Sequence, residues 1–164
     1  MKALVLLLSL VSVNAFSQTY CFGKLEMVPD FQIAPYFQAV CDGKKVKSKT
    51  EGMYIGGKQE SRLESQVTTK LQGMGFVKVS KIRGLAVYEK SLQAEAAPHC
   101  LITNNKQLFV KKAQHKAEYF LSCSDDGLKL SLRSKQISDI ESVLNNNRYV
   151  KVADTEHGPL YKQK

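Results

Sequence analysis

Phe76-Val77-Lys78-Val79 and Tyr149-Val150-Lys151-Val152 lie 73 positions apart and repeat one another in residue type. The match extends without a gap in both directions. Ser61-Arg62 falls on Ser134-Lys135, Ser65 on Ser138, Val67 on Ile140, Leu71 on Leu144 and Tyr88 on Tyr161. Upstream, Tyr36-Phe37 with Cys41, Asp42 and Gly43 echoes Tyr119-Phe120 with Cys123, Asp126 and Gly127. An ordered set of matches at one offset marks an internal duplication, and a duplication governs every later step of a fold argument.

Periodicity assigns elements to the repeated unit. Leu63, Val67 and Leu71 recur at helical spacing, as do Ile137, Ile140 and Leu144. Ser61 and Ser134 stand where helix N-caps are expected. Gly73 and Gly75 in one half, and Asn145-Asn146-Asn147 in the other, suit a helix end. The two quoted tetrapeptides are β-formers, each followed by a second strand, through Leu85 to Tyr88 and through Leu160-Tyr161. Before the helices, Tyr36 to Cys41 and Glu118 to Cys123 read as strands turning at Asp42-Gly43 and Asp126-Gly127. Leu128, Leu130 and Leu132 alternate with polar residues as a half-buried strand does. The expected fold is α+β: two tandem related units, each a ββ(β)αββ arrangement of antiparallel sheet plus one helix.

The four cysteines, Cys21, Cys41, Cys100 and Cys123, divide two to a half. Their gaps are far wider than the close pairs of a structural zinc site, so no metal is expected. Small cores gain most from a staple, and the duplication selects one disulfide per unit, Cys21–Cys41 and Cys100–Cys123. Lys2 followed by an apolar run from Ala3 to Val13 and the small-residue pattern Val13-Asn14-Ala15 reads as a cleaved signal peptide over 1–15. That run is short of the ~20 residues a membrane-spanning helix needs. The expected organisation is then a first unit over 16–95, a second over 96–164 and a linker around Ala94 to Pro98. The expected location is the periplasm or the outside of the cell, where disulfides persist.

The chain carries 24 basic and 15 acidic residues, a formal net charge of +9. Such a balance favours anionic surfaces and leaves the fold open. None of His99, His115 and His157 sits in a catalytic motif, and no H-E-x-x-H, G-x-S-x-G, P-loop or dinucleotide fingerprint is present. No catalytic residue and no cofactor can be named, and an enzyme is the least favoured reading.

Function is sought where the halves diverge, between the second cysteine and the helix. The first half there contains Lys44, Lys45, Lys47 and Lys49, then Met53-Tyr54-Ile55 between glycines. The apolar triplet is a candidate partner-binding loop, with packing onto the core as its alternative. Lys45, Lys47 and Lys49 share one face of an extended segment, a stripe for an anionic ligand or a guard on an edge strand. Lys111 and Lys112 form a second basic cluster. The reading is an exported, disulfide-stabilised binding module recognising another exported or envelope protein. The alternatives are adhesion to anionic envelope polymers or lipid, and a small exported enzyme without a recognisable motif. Nucleic acid is an unexpected partner for an exported chain.

Overall fold

The computed structural model describes residues 20–27, 34–49, 56–91, 94–104, 118–124, 127–129 and 132–164. The expected signal peptide, Met53-Tyr54-Ile55, and Lys111 and Lys112 lie outside the described residues. The first unit comprises β1 (Tyr20–Glu26), β2 (Tyr36–Cys41), β3 (Lys44–Lys47), α1 (Gly57–Gln72), β4 (Phe76–Ile82) and β5 (Leu85–Lys90). The second repeats that order with β6 (His99–Asn104), β7 (Tyr119–Cys123), β8 (Arg133–Ser134), α2 (Ile137–Asn146), β9 (Tyr149–Thr155) and β10 (Gly158–Gln163). Each unit is one five-stranded antiparallel sheet, ordered β3-β2-β1-β5-β4 and β8-β7-β6-β10-β9. The α+β architecture of two similar units is therefore that of the sequence reading, as are the disulfides Cys21–Cys41 and Cys100–Cys123.

The repeat reaches individual irregularities. Lys78 pairs with Tyr88 and Ser80 with Val87, so Val79 is an extra, bulged residue. Lys151 pairs with Tyr161 and Ala153 with Leu160, which makes Val152, at the 73-residue offset, the bulge of the second sheet. A bulge turns the side-chain alternation by one position. In the first sheet it lets Lys78 and Lys81 both reach α1 while Val79 and Ile82 point the other way. The helix-side tyrosines are likewise matched: Tyr88 hydrogen-bonds Thr68 of α1 at 2.9 Å, and Tyr161 donates to Glu141 of α2 at 2.6 Å.

Three apolar clusters set the layers. One lies between α1 and its sheet (Phe37, Leu63, Val67, Leu71, Phe76, Tyr88) and a second between α2 and its sheet (Ile102, Leu121, Ile140, Leu144, Tyr149). The third joins the opposite faces of both sheets through Tyr20, Phe22, Val79, Ile82, Val87, Leu101 and Leu160. The layers therefore run α1, first sheet, second sheet, α2. Equivalent positions meet at this junction. Tyr20 and His99 occupy the same place in their sheets, paired with Glu89 and Lys162 respectively. The Tyr20 and His99 rings contact edge-on at 6.0 Å, and Lys162 Nζ lies 3.1 Å from Glu89 Oε2. Residues that touch their own counterparts mark a twofold axis, here a pseudo-twofold within one chain.

Local details depart from the sequence reading. Helix α1 begins at Gly57 behind Gly56, whose φ of 118° suits glycine, so Ser61 lies within the helix and bonds back to Gly57 O. In α2 the N-cap is Gln136, and Ser134 accepts its N–H from two residues before. At the helix ends, the left-handed residues are Gly75 and its counterpart Arg148. Among the described residues the third strand of the second unit is Arg133–Ser134, with Leu128 and Leu132 packed against the α2 cluster. Phe37 and Tyr119, each four residues before its cysteine, are the structural equivalents. The Tyr-Phe echo is thus off by one position, which in a strand reverses the face.

Candidate binding cleft

Beyond the region where the sheets meet, β1, β2 and β3 of the first unit continue with one face uncovered by α1. Phe22, Lys24 and Glu26 of β1 alternate onto that face. Pairing places Val40 beside Phe22, Gln38 beside Lys24 and Tyr36 beside Glu26, then Lys45 beside Val40 and Lys47 beside Gln38. The turn of the β9–β10 hairpin supplies a wall of Glu156 and His157, and Leu85 of β5 also lines the space. The resulting cleft has a volume of about 320 Å³. It is built from both units, because the docking of the sheets carries the second hairpin over β1.

Its chemistry is mixed. Val40, near the end of β2, is 41% exposed and with Met27 is one of two exposed large apolar side chains among the described residues. Lys24 pairs with Glu26 at 3.0 Å, and Lys47 Nζ sits 4.7 Å from the centre of the Tyr36 ring. The His157 ring meets Phe22 edge-on at 5.0 Å, and its Nε2 is 3.5 Å from Glu156 Oε1. Burial lowers the His157 pKa below the usual imidazole value and Lys24 adds to this, against an upward pull from Glu156. At the junction itself, burial and then Glu89 hold the Tyr20 phenol well above its ordinary range.

Lys45 and Lys47 thus stand at the cleft rim, and Lys49 follows just past β3 with its N–H bonded to Gln66 Oε1 at 3.0 Å. Lys44 is exposed on the alternate face of the same strand. The cysteines are consumed in the disulfides and none of the described ones is free. Phe22, Lys24, Gln38, Val40, Leu85, Glu156 and His157 are site residues that sequence reasoning missed. Their signal is faint. The face of β1 and β2 that is apolar at Phe22 turns polar at Lys24 and Gln38 while Val40 stays apolar.

Among the described residues no group of histidine, cysteine, aspartate and glutamate is arranged to hold a metal ion, and no helix is long and apolar enough to cross a membrane. No protein-family profile, curated protein or solved structure matches the chain. The cleft is therefore read on its own chemistry.

Proposed function

We propose that the chain is an exported binding module that recognises another exported or envelope protein through the cleft and its lysine rim. One observation supports this above the others: an apolar residue, Val40, stays exposed near the end of β2, with Phe22 on one side and the cationic Lys45 on the other. An apolar centre with a polar rim is the anatomy of a protein contact. The Met53-Tyr54-Ile55 triplet remains a second candidate contact. Two disulfides without a membrane-crossing helix among the described residues are compatible with life outside the cytoplasm.

The test is capture of envelope or medium proteins on the immobilised oxidised protein, beside a Val40→Lys variant with unchanged circular dichroism. A partner held by the native protein through high salt and lost by the variant is the expected result. The lysines favour a second reading, adhesion to anionic envelope polymers. That reading requires retention that washes off as salt screens the charges.

A further inference from the structure

We infer that the cleft takes an acidic peptide segment of the partner, laid across the face of β1, β2 and β3 with an apolar side chain over Val40 and carboxylates at Lys45 and Lys47. The inference rests on the reading of the cleft as the binding site and adds the chemistry of its occupant.

Charge comes first. Of the two acids of the cleft, Glu26 has Lys24 at 3.0 Å, and Glu156 has His157 at 3.5 Å, an imidazole whose lowered pKa leaves it mainly neutral at neutral pH. Among the described residues Lys45 and Lys47 have no carboxylate partner, and both are exposed. The rim therefore carries uncompensated positive charge beside an uncovered apolar residue. A phosphate polymer would satisfy the lysines and leave Val40 in water. A segment that places carboxylates next to an aliphatic residue covers both.

Polar complementarity points the same way. Gln38 lies between Lys24 and Lys47 on the cleft floor, and its Oε1 has no hydrogen-bond donor among the described residues. A buried acceptor without a donor is costly. A peptide backbone brings N–H groups that a fully anionic polymer lacks.

The edge of β3 decides the direction of approach. Ser48 N–H bonds to Phe37 O at 2.9 Å, so the alternation of antiparallel pairing turns the backbone groups of Lys45 and Lys47 outward, away from β2. At that outer edge Lys70 of α1 donates to Lys47 O at 2.6 Å and Gln66 accepts from Lys49 N–H. Helix side chains thus occupy the edge where an added strand would pair. The segment lies over the sheet face and does not extend the sheet.

The probe is a short synthetic peptide alternating glutamate with leucine, titrated into the full oxidised protein and followed by backbone amide NMR. Controls are the same peptide with lysine for glutamate, and inorganic polyphosphate. The acidic peptide should shift the amides around Val40, Lys45 and Lys47, and the double variant K45E/K47E should bind it at least about tenfold more weakly. Val40→Ser should weaken the peptide and leave polyphosphate unaffected. Equal binding of the lysine peptide, or polyphosphate binding that outcompetes the acidic peptide, overturns the inference. Failure of the peptide while a captured partner still depends on Val40 overturns the acidic occupant alone. Failure of both removes the binding-module reading with it.

Discussion

The His157 ring, carried on the second unit's last hairpin, stands edge-on to Phe22 of the first unit's β1 with centroids 5.0 Å apart. The contact is apolar in character and ties the units together at the cleft. Its cost in acid follows from the lowered His157 pKa, set by burial and by Lys24 against the opposing Glu156. A base whose folded pKa lies below its unfolded value of about 6.5 gives stability that is complete above that value. The stability is lost as pH falls from there through the folded pKa, because the unfolded chain binds the proton first. Thermal unfolding from pH 8 to pH 5 should show this loss, and His157→Gln should flatten it. An unchanged slope in the variant would assign the acid sensitivity elsewhere.

The Glu89–Lys162 pair joins equivalent positions of the two units, with side chains 13% and 26% exposed. Glu89→Lys places two cations there and should cost roughly 2 kcal/mol. The exchange of both residues, E89K with K162E, should recover part of that loss, though Tyr20 forfeits its own bond to Glu89. Urea unfolding of the single and double variants measures the coupling. A double variant no more stable than the single would show that the charges at the axis do not act on each other.

Gly23 is required by space. A Cβ built there falls 2.5 Å from Phe37 Cε1 and 3.1 Å from Tyr88 Cε2, two rings with no freedom inside the α1 cluster. Gly23→Ala should destabilise by about 1–3 kcal/mol through overpacking, read as a lowered melting temperature with secondary structure retained. Retention of the native melting temperature would mean that the rings can move.

Glu64 of α1, buried against the sheet, takes Lys78 and Lys81 as partners, and Lys81 also reaches Glu60 at 2.8 Å. Burial pushes the Glu64 carboxyl up, but the hydrogen bonds and charges of the two lysines outweigh it and hold the pKa below the usual carboxylate value. Its stabilisation is present above the unfolded pKa, about 4.3, and disappears as pH falls through the folded one. Glu64→Gln should cost about 1–3 kcal/mol at neutral pH by removing a charged acceptor and should make the acid limb of the stability curve shallower. Identical acid limbs would rule out this network as its source.

The duplication was legible because a 73-residue offset preserves Val67/Ile140, Leu71/Leu144 and Phe76/Tyr149, which face the helix–sheet cores, and Val79/Val152, which face the junction between the sheets. The disulfide pairing followed from it. The matched bulges at Val79 and Val152 were not legible, since a valine within a β-forming run looks the same bulged or paired. The cleft was hidden for a different reason. Lys45 and Lys47 were visible as a stripe, but Phe22, Val40 and His157 meet only after two sheets have docked across more than one hundred residues of chain. The one-position error at Tyr36-Phe37 shows the limit of composition: adjacent aromatics in a strand point to opposite faces, and only the pairing tells which one enters the core.

The contacts at the pseudo-twofold axis carry a history. A chain of one such unit would leave the sheet face of Val79 and Ile82 bare, and a copy of itself is the natural cover. In that self-paired ancestor each residue on the axis would confront an identical one, glutamate against glutamate or lysine against lysine. Once the two copies are distinct sequences the two sides can differ, and here Glu89 opposes Lys162. The same pair then discourages a return to like-with-like pairing: a first unit that strayed to the first unit of another molecule would set Glu89 against Glu89.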